Sequence, residues 1–235
     1  MHRSLSVLAL IVATAAAQSK PPAAGHWEGS LEVPDHPLKI AVDLDLNDQG
    51  AWIGDFDVPD QGLRDFPLSN LSFKENIVKF ELAGIPGDPS FEGEISPDGT
   101  ILAGDFSQGG GSLPVELKRT GDANVVLPVK NTALAKEFEG SWECAIPGPD
   151  GKIHPGVIKL ANAADNSSTG VLLGEGGIQF PLSAIAQSGA ALKFDIKPIG
   201  LAFAGERRNN EIPGTLKVAG KELPLTLKRS PEPAR

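Results

Sequence analysis

The sequence predicts an all-β protein: two tandem small antiparallel barrels of about eight strands each, after a signal peptide. Three observations carry this: apolar residues alternate with period two, turn signals recur at close intervals, and blocks of sequence repeat 110 to 114 residues apart. The composition agrees. Hydrophobic side chains make up 40% of the 235 residues and charged ones 22%, which excludes disordered, collagenous and polytopic membrane classes. The 27 Gly and 20 Pro supply turns without a low-complexity period. With 30 acidic against 21 basic residues the net charge is −9, so no nucleic-acid or anionic-membrane partner is expected.

The elements follow in chain order. His2 and Arg3 precede an apolar run from Leu5 to Ala17 that ends in Ala15-Ala16-Ala17, a small-residue cleavage pattern. The run is shorter than the ~20 residues a membrane-spanning helix needs. Residues 1–17 therefore read as a signal peptide and 18–24 as a short linker. The mature chain is expected to be exported, periplasmic or secreted, with no membrane span, and no Cys follows the run to carry a lipid. Cys144 is the sole cysteine, so no internal disulfide forms.

Residues 25–120 form the first unit. Leu38, Ile40, Val42, Leu44 and Leu46 alternate with Lys39, Ala41, Asp43 and Asp45, as do Val78, Phe80 and Leu82 with Lys79 and Glu81. Leu113, Val115 and Leu117 do the same before Arg119. This is the pattern of strands with one buried face. Asn47-Asp48-Gln49-Gly50 and Pro97-Asp98-Gly99 mark turns, and unit two has Pro149-Asp150-Gly151 and Asn209-Asn210. Residues 121–137 read as a linker in which Thr132 to Glu137 forms one helical turn; 138–230 is the second unit and 231–235 a tail. The repeat ties the units together. Phe66-Pro67-Leu68-Ser69 recurs as Phe180-Pro181-Leu182-Ser183, and Phe91-Glu92-Gly93-Glu94 as Phe203-Ala204-Gly205-Glu206. Leu113-Pro114 to Thr120 recurs as Leu223-Pro224 to Ser230, and Trp27-Glu28-Gly29-Ser30 pairs with Phe138-Glu139-Gly140-Ser141.

Unit one resembles the lipocalin-like β-module of exported bacterial proteins, often found preceding an α/β-hydrolase domain. The resemblance rests on Gly25-His26-Trp27-Glu28-Gly29, on Pro59-Asp60-Gln61-Gly62 leading into Phe66-Pro67-Leu68-Ser69, on Pro97-Asp98-Gly99-Thr100, and on Gln108-Gly109-Gly110 before Leu113-Pro114. It implies a lipocalin-like barrel and export. It carries no catalytic set, and unit two lacks the Pro-x-Gln-Gly and Gln-Gly-Gly elements.

Candidate chemistry is sparse. No G-x-S-x-G elbow exists; Gly110-Gly111-Ser112-Leu113 comes nearest and leads into Pro114. His26, His36 and His154 sit by strands and turns with no triad pattern. The acidic stretch from Asp43 to Gly50 lacks the Gly at position six and Glu at position twelve of a calcium loop, so no metal is expected there. Cys144, matched to Val33 of unit one, reads as a buried small hydrophobe. Trp27, Trp52 and Trp142 read as core residues, with Trp27 and Trp52 also candidates for a ligand-facing wall. Gln61 and Gln108 lie in Gly-flanked loops that unit two lacks; they either brace loop backbone or mark a polar site at one mouth of barrel one. The expectation is a non-catalytic binding or accessory protein without cofactor, its ligand apolar or amphipathic and entering near Gln61. A lipophilic carrier with a true cavity and a partner of a separately encoded hydrolase are the alternatives.

Overall fold

The computed structural model describes residues 21–34, 36–126, 129–148 and 151–231. The signal-peptide expectation for 1–17 and most of the expected tail lie outside the described residues. Unit one is a meander of β1 (Gly25–Leu31), β2 (Leu38–Leu46), β3 (Trp52–Val58), β4 (Leu63–Pro67), β5 (Ser69–Lys74), β6 (Ile77–Glu81), β7 (Ser90–Ile95), β8 (Ile101–Gln108) and β9 (Gly111–Gly121). Unit two repeats it with β10 (Gly140–Pro147), β11 (Ile153–Asn162), β12 (Ser168–Leu173), β13 (Gln179–Pro181), β14 (Ala184–Ser188), β15 (Ala191–Ile196), β16 (Leu201–Glu206), β17 (Glu211–Val218) and β18 (Lys221–Arg229).

Each unit is one antiparallel sheet of nine strands, in the orders β4-β3-β2-β1-β9-β8-β7-β6-β5 and β13-β12-β11-β10-β18-β17-β16-β15-β14. First and last strands pair, and only the edges β4/β5 and β13/β14 remain. Leu68 alone separates β4 from β5, and its N–H donates to Gly54 O of β3 at 3.0 Å. The equivalent Leu182 N–H donates to Gly170 O of β12 at 2.9 Å. Each sheet is thereby a nearly closed barrel. The ninth strand of each unit, beyond the expected eight or so, arises at Phe66-Pro67-Leu68-Ser69 and its repeat, where two strands follow one another almost without a loop. The chain steps from one sheet edge to the other there, next to a Pro without an N–H to donate and two residues in the left-handed region, Asp65 and Asn70 (φ 49° each).

The period-two pattern is realised as expected. Ile40, Val42 and Leu44 of β2 point into barrel one with Phe80, Phe91 and Leu117, and the repeat builds a second core around Ile158, Phe194, Phe203 and Leu227. The Phe-x-Gly blocks have a packing reason. Gly93 pairs with Gly104 across β7–β8 under the Phe91 ring, and Gly205 pairs with Gly214 across β16–β17 under Phe203. A Cβ on Gly104 would lie 2.2 Å from Glu92 O, so only glycine admits this approach.

One repeat block is corrected. Trp27 corresponds to Trp142, not to Phe138. Trp27 Nε1–H donates to Ala23 O at 3.0 Å and Trp142 Nε1–H to Phe138 O at 2.9 Å, four residues back in each case. Trp27 lies opposite Arg119 and Trp142 opposite Arg229. Each guanidinium stacks on its indole, at 5.0 Å and 4.4 Å from the ring centroid. Each also bonds carbonyls of the entering chain, Pro22 O for Arg119 and Glu137 O and Glu139 O for Arg229. Cys144 then falls at Gly29, not Val33. In barrel one the small residue faces Ile40; in barrel two Cys144 faces Gly156.

The linker is bound along its course. The Asn124 N–H donates to Asp43 Oδ1 at 2.8 Å and the Val126 N–H to Asp55 Oδ2 at 2.9 Å, both on the outer face of barrel one. Asn131 Oδ1 then accepts from the Ile185 N–H at 2.7 Å, and Asn162 clasps both backbone groups of Leu134 at 2.8 Å. The expected helical turn narrows to a 3-10 turn at Lys136–Phe138.

The units dock through equivalent segments. The Phe66 and Phe180 rings, partners in the repeat, meet edge to face at 6.5 Å. Strand β4 packs on the 3-10 turn Lys197–Ile199, while its counterpart β13 donates from Gln179 N–H to Gly84 O at 2.7 Å. Gly84 is the counterpart of Pro198, so the contacts are reciprocal, as in a two-fold interface. A Cβ on Gly84 (φ 86°) would sit 2.8 Å from Gln179 Cβ, so both conformation and space require glycine here.

Candidate binding cavities at the facing barrel mouths

Docking brings one open end of each barrel together, and each mouth holds a cavity. That of barrel one, about 400 Å3, is lined by Leu31, Phe56, Leu63, Ile85 and Phe106 among others. That of barrel two, about 730 Å3, is lined by Ile146, Leu172, Leu201 and Val218. Four residues line both: Gln61, Ile178, Phe180 and Ile199. They form the partition between two nearly continuous spaces. Barrel one is thus partly stoppered by unit two, and barrel two is rimmed by Gln61, Gly62 and Arg64 of unit one.

Two equivalent positions differ between the barrels. In barrel one Phe56 and Phe106 stack at 5.8 Å across the mouth. The strand registers place Leu172 and Leu216 at the equivalent points of barrel two. A leucine fills less space than a phenyl ring, and Leu172 lines the wider mouth of barrel two where Phe56 and Phe106 line that of barrel one.

The sequence candidates divide between rim and core. Gln61 is exposed on the 3-10 turn Pro59–Gln61 and faces both cavities. Gln108 lines the barrel-one cavity, and its Nε2–H donates to Pro86 O at 2.9 Å, tying the β8–β9 turn to the loop after β6. Trp27 is fully buried in its Arg119 stack, and Trp52 lies half-buried, edge-on to Phe73 at 5.6 Å. Neither tryptophan lines a mouth cavity. Sequence reasoning missed Phe180 and Ile199, which cross from one unit to the other's cavity. Position in the repeat gave no signal for that, since the docking is set by pairing between distant segments.

Charges gather at the barrel-two rim. Arg64 and Lys197 are exposed cations there, and Arg64 Nη1 lies 3.5 Å from Asp57 Oδ2. His154 Nδ1 lies 2.9 Å from Glu175 Oε2, which engages the one acidic residue of the lining among the described residues.

A second polar group lies under the linker. Asp43 and Asp55 face each other across β2–β3, both buried on the outer side of the barrel. Burial pushes Asp55 up to about 7, against the Val126 hydrogen bond, with the Asp43, Asp65 and Asp57 charges adding to the rise. Burial disfavours the His26 imidazolium, yet the hydrogen bonds and charges of Asp43 (2.9 Å) and Glu28 outweigh it and raise the ring above its ordinary value. Asp55, Asp57 and Asp65 hold carboxylate oxygens within 4.8 Å of one another, but backbone N–H groups of Val126 and Asp65 occupy two of them. The turn after β2 is an Asx turn, Asn47 Oδ1 accepting from Gln49 and Ala51 N–H at 2.9 Å each.

Catalytic candidates lie apart. Ser112 is exposed and its Oγ is 3.1 Å from Ser107 Oγ, while burial pushes the Cys144 thiol up to about 11. No helix among the described residues is long and apolar enough to cross a membrane.

No family model and no curated protein matches this chain. Among solved structures, a candidate outer membrane protein from Bacteroides fragilis aligns over 88% of this chain and 97% of its own, at 16% identity and TM-score 0.30. A protein of unknown function from the DUF3598 family of Nostoc punctiforme aligns over 89% and 97%, at 13% identity and TM-score 0.25. The fold described above rests on the chain's own strand pairing.

Proposed function

We propose that the protein is an exported, non-catalytic binding protein of lipocalin-like barrels that holds an apolar or amphipathic small molecule between its two barrel mouths. The supporting observation is the cavity of about 730 Å3, walled by aliphatic side chains and rimmed by a few polar groups. That volume falls in the range of small-molecule sites, ~300–1,000 Å3. The aliphatic wall of this open-mouthed cavity suits the carrier form of this reading, with the ligand's apolar part against the barrel interior. Gln61 belongs to the rim of this site, and Gln108 supports the neighbouring mouth.

The test is native mass spectrometry of the protein purified from an exporting host, followed by titration of the delipidated protein with Nile red. Co-purified lipid mass, or saturable micromolar probe binding, is the expected result. Protein that carries no adduct and fails to bind the probe would overturn the reading.

A further inference from the structure

We infer that the barrel-two cavity takes an anionic amphiphile, a single-chain carboxylate whose head sits between Arg64 of one unit and Lys197 of the other. The inference rests on the binding function proposed above and adds the ligand's chemical class and orientation. It starts from charge. The chain carries net −9, yet among the described residues the lining of this cavity holds the exposed cations Arg64 and Lys197 and one carboxylate, Glu175, which His154 engages at 2.9 Å. A cationic rim on an acidic protein is a local inversion of the overall field. It attracts an anion to this opening in particular.

Shape supplies the rest. Arg64 and Lys197 stand at the rim, while Leu172, Leu201 and Val218 form the wall behind them. An apolar chain entering past the cations buries its methylenes against that wall and leaves its head at the surface. Arg64 sits just 3.5 Å from Asp57, and its exposed guanidinium retains N–H donors for a second carboxylate. Lys197 bears on Asp65, whose carboxyl it helps to hold down against burial and the Asp57 charge. Arg64 is thus held beside a carboxylate without being enclosed by it, and both cations are exposed at the rim. The site is composite, since neither barrel alone supplies both charges.

Dodecanoate, dodecanol and dodecyltrimethylammonium are the probes, titrated at pH 8 below their micelle concentrations into the full chain and followed by displacement of Nile red. Dodecanoate should bind about tenfold tighter than dodecanol, the gain of one charge-assisted hydrogen bond, and the cationic probe weakest. The Arg64→Gln/Lys197→Gln variant should bring dodecanoate affinity down to that of dodecanol. Leu172→Phe, which imports barrel one's filling, should weaken all the probes, and Phe56→Leu should not. Equal affinity for dodecanoate and dodecanol, or a preference that survives the double variant, would overturn the head-group assignment and leave the apolar cavity standing. A probe affinity that responds to Phe56→Leu but not to Leu172→Phe would place the ligand in barrel one and overturn the inference. Failure of every probe to displace Nile red would remove the binding function itself.

Discussion

At the scale of single residues, the most informative side chains are those that break the inside–outside rule. Asp43 and Asp55 lie on the outer face of their strands, where alternation puts solvent, yet both are buried because the linker lies over them. Their polar type was legible in the sequence. Their burial was not, because it depends on a backbone segment some 70 to 80 positions away. A consequence for stability follows. The folded-state pKa of Asp55, about 7, exceeds its unfolded value near 3.8, so its contribution is fully present below pH 3.8 and is lost progressively as pH rises from there through 7. His26, also raised, acts in the same direction. The protein should therefore unfold more easily at pH 8 than at pH 5.5. Asp55→Asn, which keeps an oxygen for the Val126 N–H, should flatten that dependence, its stability relative to wild type rising by about 1–2 kcal/mol between pH 5.5 and pH 8. Urea melts of both proteins across this pH range provide the measurement; a wild-type midpoint that rises with pH would contradict it.

At the scale of elements, the strands were the legible part. β2, β6, β9 and β18 fall where the alternation puts them, since a half-buried strand writes its two faces directly into the sequence. The first repeat block misled for a physical reason. The shared letters Glu-Gly-Ser occur in both units at different places, whereas the indole stacked beneath the last-strand arginine fixes the true match, Trp27 with Trp142. A tryptophan can be aligned only if its partner is known, and Arg119 and Arg229 are far along the chain. The glycine pairs give this scale its prediction. Gly104→Ala drives a methyl onto the Glu92 and Gly93 backbone, and Gly214→Ala does the same at Ala204 O (2.3 Å). Neither obstacle is a side-chain end that can swing away. Each substitution should cost about 2–3 kcal/mol despite alanine's smaller folding entropy. Thermal melts compared with Ser112→Ala, an exposed control, would show it; a loss below about half a kcal/mol at both sites would mean the strands can part without penalty.

At the scale of the whole molecule, two nearly closed barrels follow from the repeat, but their docking does not. Equivalent segments meet reciprocally around Phe66 and Phe180, and no local pattern announces a contact made by edges of two different sheets. Hence the sequence pointed to the facing mouths only through Gln61 and Gln108, and not to the residues that unit two brings to them. Each barrel has its own core, so fragments 18–130 and 131–235 should each fold as β-rich domains. Each fragment also exposes the mouth that the other half covers. Fragment 18–130 should accordingly self-associate through Phe66, with a second copy standing in for unit two, and Phe66→Ser should shift it towards monomer. Circular dichroism with light scattering on both fragments measures this, and a strictly monomeric wild-type fragment at 100 μM, roughly the upper range for weak contacts of this size, would count against it.

The reciprocal docking of unequal mouths has a consequence for how this chain can change. A dimer of identical subunits must alter both mouths with every substitution, so widening one for a ligand also hollows the other. Joining the copies in one polypeptide removes that constraint. One half keeps stacked rings and the other has leucines at the equivalent positions, so under the binding function proposed above the second is the vessel and the first its buttress. Stability and capacity, which compete within a single barrel, are here assigned to different halves of the same protein.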